Sequence, residues 1–184
     1  MKRTSPLDGL VADLKSDRDR LRSALDRVPA SGRDWRPKPE CWSVAGVLEH
    51  LAIVEQRAVK IVADLVAAAP PIADGSPGTI EPMVFDRTLL RDRTQRVMAP
   101  EMIQPTGRVS AEEAWASLEH SRVALIEAIR GGEGRDLSAV SRVHPRLGPL
   151  NGYQWIAAIG GHEERHAAQI DEIAVQLRAR SRAS

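Results

Sequence analysis

Residues 155–177 read WIAAIGGHEERHAAQIDEIAVQL. Trp155, Ile159, Ile170, Ile173 and Leu177 recur at helical spacing, which predicts one long amphipathic helix with a core-facing stripe. Two positions on that stripe are histidines. His162 and His166 are spaced i, i+4, so they sit about 40° apart on one face and one turn apart along the axis. Two adjacent core imidazoles are costly unless their nitrogens find partners. Helical HxxxH lets one nitrogen of each ring reach a single ion at about 2.1 Å. Hydrogen bonds to neighbouring side chains or water are the alternative for the pair.

Working outward, the rest of the chain supplies three more helices. Ser5-Pro6-Leu7-Asp8 is a helix start: a capping serine, a proline suited to the first helical position and an acid at the positive end of the dipole. Leu7, Leu10, Val11, Leu14, Leu21, Ala24, Leu25 and Val28 then give a buried face that ends at Pro29; Asp17 and Arg18 interrupt it. Residues 29–42, PASGRDWRPKPECW, form a Pro/Gly loop whose Trp35 and Trp42 are expected to cover one end of the core. Ser43 caps a second helix from Val44 to about Ala69, with Val47, Leu51, Val54, Ala58, Ile61 and Leu65 inward. Residues 70–109 are broken by prolines and glycines, with a short arginine-rich helix expected from Asp86 to Val97. Forty residues is long for a loop, so this segment is read as a crossover rather than a linker. Ser110 and Glu113 form a capping box for a third helix that runs to about Arg130 and stops at Gly131-Gly132. Ala111, Trp115, Leu118, Leu125, Ile126 and Ile129 point inward. A second loop leads to Asn151 and Gln154, which can cap the helix quoted first. The expected fold is therefore all-α: a single-domain four-helix bundle over residues 1–184, with a long crossover connection between helices 2 and 3 and a disordered tail over 179–184.

Composition narrows the functional classes. The chain has 184 residues, a net charge of +1, 42% apolar and 28% charged residues. This is ordinary for a globular domain and gives no field for nucleic acid or membrane binding. No run approaches the ~18 apolar residues of a membrane span. The opening MKRTSPLDGL has no apolar core of a secretory signal. The single cysteine, Cys41, forms no internal disulfide, and a cytoplasmic location is expected.

Among the five histidines, His50 lies at the edge of the second helix's stripe, the only other histidine on the inward side of a helix. It completes a candidate metal triad with His162 and His166. His120 falls on the solvent face. His144 lies in the loop before the fourth helix. Gln169, three residues after His166, shares its face and is a candidate to orient a ligand. Trp42, Tyr153 and His144 are candidates to line the pocket, with core packing the plainer role for the aromatics. Arg165 points off the stripe and reads as a surface arginine paired with Glu164 or Asp171. His162-Glu163-Glu164-Arg165-His166 also matches HExxH. The downstream ligand of a zinc protease is missing, so that reading is disfavoured. Glu163-x-x-His166 is half of a di-iron motif with no second half.

Four segments carry a family resemblance: WRPKPECWSVAGVLEHLAIVE (35–55), APEMIQPTG (99–107), HPRLGPLNGYQW (144–155) and HEERHAAQI (162–170). Together they resemble the DinB-like superfamily, also called DinB/YfiT-like metalloenzymes, over nearly the whole chain. The resemblance implies a four-helix bundle that holds one divalent metal with a histidine from helix two and two from helix four. Carried over, these are His50, His162 and His166. It further implies a small-molecule substrate, frequent homodimers, and either thiol S-transfer with bacillithiol or mycothiol or metal-dependent hydrolysis. Three neutral ligands would leave the ion its full charge and an open position, the pattern of a catalytic site. A water or a small thiol held there would become acidic. Imidazole suits zinc, nickel and iron; zinc or nickel is expected. A metal-binding or stress-associated bundle without chemistry is the competing class.

Overall fold

A computed structural model describes residues 5–72, 86–94 and 98–183. The sequence caps form as their chemistry dictates. Ser5 accepts the Leu7 amide at 3.2 Å while Asp8 accepts the Ser5 amide, opening α1 (Pro6–Asp26). Ser43 accepts the Gly46 amide at 3.1 Å to open α2 (Val44–Ala68). Ser110 and Glu113 close a reciprocal box at the start of α4 (Ala111–Arg130). Asn151 and Gln154 exchange amide bonds, both 2.9 Å, at the start of α5 (Gly152–Ala183). Each such cap contributes about 1 kcal/mol. α5 continues helically through 179–183, the segment expected to be a disordered tail.

α1 packs chiefly on α5, and α2 on α4, with α2 also meeting α5. The main core joins Leu21 and Leu25 of α1, Val47, Leu48 and Leu51 of α2, Leu118 of α4, and Ile170 and Ile173 of α5. Trp35 and Trp42 close over this core, as the loop reading expects.

The crossover departs from the helix expected to run from Asp86 to Val97. Only Thr88–Arg91 (α3) is helical, and residues 95–97 lie outside the described residues. Residues 86–94 instead strap across α5. Leu90 is buried with Leu65, Leu150, Trp155 and Ala158. Arg87 pairs with buried Asp17 at 2.8 Å, and Arg93 pairs with Glu172 at 2.7 Å. Gly160 and Gly161 make the close approach feasible: a Cβ on Gly160 would stand 2.2 Å from Asp17 Oδ2, and one on Gly161 would stand 2.9 Å from Leu90.

A β-hairpin is the other departure. β1 (Ser141–His144) pairs antiparallel with β2 (Gly148–Asn151) in the segment read as an irregular loop. Its strands are four residues long and mostly exposed, so they lack the alternating burial that marks a strand in sequence. Among the described residues, no helix is long and apolar enough to cross a membrane.

Candidate metal centre

α2 and α5 bring His50, His162 and His166 together, with one ligand nitrogen of each within 4.8 Å of the others. His162 Nε2 lies 3.1 Å from His166 Nε2 and 3.3 Å from His50 Nε2. Tetrahedral bonds of 2.1 Å place ligand nitrogens about 3.4 Å apart, so the cluster is close to the spacing that a single ion requires. His50 and His166 are buried. His162 is half-buried.

The outer nitrogens define what the inner ones can do. His50 Nδ1 lies 2.7 Å from the Ile103 carbonyl oxygen. A carbonyl only accepts, so the ring's proton is on Nδ1 and Nε2 carries a bare lone pair. His166 Nδ1 lies 2.8 Å from Gln169 Oε1. Arg93 approaches the same Oε1 at 3.5 Å, which agrees with oxygen on that side of the amide. Two lone pairs thus face the centre, and a proton on His162 Nε2 can serve only one of them well. A cation serves all three nitrogens at once.

Electrostatics keep the rings neutral. Burial pushes the His162 pKa down to about 3, and neighbouring His50, His144, Arg165 and Arg146 reinforce the shift. Burial likewise holds His166 well below the ordinary imidazole value. His50 is also lowered by burial, against the opposing pull of its bond to Ile103. Neutral imidazole is the form that ligates metal. The donor set therefore fits one borderline divalent ion bound by three nitrogens.

The remaining candidates are distributed as follows. Trp42 packs on His50 and His166, with ring centroids 4.8 and 6.3 Å away. Gln169 meets His166. His144 packs at a tilt against Trp155, with ring centroids 5.0 Å apart, and accepts the Arg146 amide at 3.2 Å, outside the cluster of three nitrogens. Tyr153 is not at the site: it is buried in a separate core cluster with Leu137, Ile129 and Ile156. Its place follows from helix rise, since nine residues separate it from His162, about 13.5 Å along the axis. His120 is exposed, as its helical phase requires.

Arg165 is buried rather than at the surface, and it donates to the carbonyls of Leu90 and Asp92 in the strap. Glu164 takes Arg20, Arg87 and Arg91 instead. Asp171 pairs with Arg27 at 2.7 Å.

Glu163, the acid of the HExxH pattern, faces away from the histidines into a buried ionic box. It accepts from Arg18 and, at 2.9 Å, from Arg122. Glu55 binds the same two guanidinium groups at 2.9 and 2.6 Å and also accepts from Ser121. The four charged residues come one from each main helix, and all are buried. Burial pushes the Glu163 carboxyl upward, opposed by Arg122 and Arg18. The sequence signal for this box was the break in the first helix's stripe at Asp17-Arg18.

A helical bundle with three converging imidazoles between two of its helices defines the class: an all-α protein with a candidate metal centre. The chain belongs to the DinB superfamily, whose sequence pattern matches residues 13–170, a span that contains all three histidines. It is 31% identical over 139 residues to the uncharacterized protein YuaE of Bacillus subtilis (strain 168), across 75% of this chain and 80% of that one. Its fold is similar to TT2238, described as a four-helix bundle protein, with a TM-score of 0.58 at 19% identity over 90% of this chain and 98% of that one.

Proposed function

We propose that the protein is a divalent-metal-dependent enzyme whose open three-histidine centre serves S-transfer from a low-molecular-weight thiol to a small electrophile. The observation that carries the metal reading is the convergence of three Nε2 atoms, two of them stripped of protons by the acceptors on Nδ1. His50, His162 and His166 hold the ion, Gln169 and the Ile103 carbonyl orient two of the rings, and Trp42 shields them. Zinc or nickel suits this donor set best. When bound, the ion supplies Lewis acidity to whatever occupies its fourth position.

Thiol chemistry is favoured over hydrolysis by the place of Glu163. The carboxylate that HExxH hydrolases use as a general base is held here by Arg18 and Arg122. A thiol needs no such base, because coordination alone deprotonates it. Homodimerisation, expected of the family, belongs to the same proposal and is checked by sedimentation of the untagged chain.

Elemental analysis of the untagged protein is expected to give about one divalent ion per chain, with strong loss in His50→Ala and in His162→Ala. Unchanged stoichiometry in both variants would refute the triad. Metal-loaded protein should then turn over a model electrophile with one of glutathione, bacillithiol, mycothiol or coenzyme A. Failure with all four redirects the site to hydrolysis or binding.

A further inference from the structure

Glu49 precedes His50 on α2 and is buried, yet among the described residues no arginine or lysine forms an ion pair with it. A buried carboxylate without a cation is costly unless its oxygens are hydrogen-bonded. Both oxygens are used by one loop. Oε1 accepts the Thr106 hydroxyl at 2.6 Å, and Oε2 accepts the Gly107 amide at 3.1 Å. Gly107 reaches this pose with φ +72°, in the left-handed region that glycine adopts freely. Pro105 sits over Gly46, one turn earlier on α2. The same short loop begins at Ile103, whose carbonyl receives the His50 Nδ1 proton. Consecutive residues of α2 therefore grip the two ends of one loop, Glu49 at 106–107 and His50 at 103.

We infer that Glu49 is a positioning residue: its carboxylate fastens the 103–107 loop so that the Ile103 carbonyl holds His50 in the Nδ1–H tautomer, with Nε2 bare toward the centre. The inference rests on reading His50 as a metal ligand. Groups that orient metal-binding histidines in this way carry about 10- to 100-fold of metal affinity when removed. A leucine at position 49 keeps the bulk but accepts from neither the Thr106 hydroxyl nor the Gly107 amide, whereas a glutamine can accept from Gly107 and donate to the Thr106 oxygen.

The test begins on the metal-free full-length protein with ¹⁵N-labelled histidine. Long-range ¹⁵N–¹H correlation reads the tautomer of each ring, and competition with a chromophoric chelator then reads zinc affinity. In the parent protein His50 is expected as Nδ1–H alone. Glu49→Leu is expected to populate both His50 tautomers, to leave His166 on its Gln169 bond, and to weaken zinc binding about 10-fold or more. An unchanged His50 tautomer in Glu49→Leu, or an unchanged zinc affinity, overturns the inference. If that variant does not fold, Thr106→Val removes one donor and keeps the carboxylate, and the same two readings decide. The tautomer is read without metal. A parent protein that ignores zinc therefore sinks the metal centre, while the tautomer result still judges Glu49.

Discussion

At the scale of single residues, the acceptors on two outer ring nitrogens, a main-chain carbonyl for His50 and a side-chain amide for His166, decide which nitrogens face the centre. His162 and His166 declare themselves because two imidazoles in an apolar stripe need a reason. Gln169 follows from the same phase, three residues on. The acceptor for His50 could not be read, because it is a main-chain carbonyl 53 residues away, and a carbonyl has no side-chain signature. The two acceptors do equivalent work, and Gln169 gives the simpler measurement. Gln169→Leu keeps the bulk but leaves the His166 Nδ1–H without its partner and frees the ring to present either nitrogen. Zinc affinity measured by chelator competition is expected to fall by roughly 10-fold or more. Equal affinity in the variant would mean that Trp42 packing alone fixes the ring.

At the scale of elements, α5 carries two functions on two faces. One face presents His162 and His166; another, a third of a turn away, drives Glu163 into the box with Arg18, Glu55 and Arg122. Helix boundaries were readable because Ser5, Ser43, Ser110 and Asn151 announce them. The box was visible only as a fault in the first helix, since charge at a core position says that something is buried but not what pairs with it. The hairpin was missed for a different reason: SRVH and GPLN are too short and too exposed to show a period. The box also separates two accounts of the HExxH pattern. Removing one member of a buried ionic group costs about 3–5 kcal/mol, because the partners remain charged and uncompensated. Glu163→Gln is therefore expected to lower the thermal midpoint by roughly 6–20 °C in a chain of this size, whether or not metal is present. A protease-type acid would behave oppositely, losing activity with little change in stability. A thermal scan of the metal-free variant decides between them.

For the whole molecule, the pairing of helices determines what an ion can do. α1 lies chiefly along α5, and α2 along α4, so the bundle is two helix pairs closed on each other. Apolar packing joins the pairs, and so does the box, which takes Arg18 and Glu163 from one pair and Glu55 and Arg122 from the other. The histidines form a second cross-link, with His50 on the α2–α4 pair and His162 and His166 on the α1–α5 pair. An unfolded chain cannot gather ligands 112 residues apart as the native bundle does, so metal should favour the native state. At free zinc about 100 times the dissociation constant, the gain is about 2.7 kcal/mol, which corresponds to a rise in thermal midpoint of roughly 5–11 °C. Calorimetry with and without zinc is expected to show that rise in the parent chain, to lose it on adding chelator, and to lose it in His50→Ala. The last variant is the informative one. It keeps the HxxxH pair on α5 but removes the only ligand from the other helix pair, so any binding that survives no longer ties the two halves together. A full thermal gain in His50→Ala would show that the ion acts on α5 alone and does not bridge the bundle.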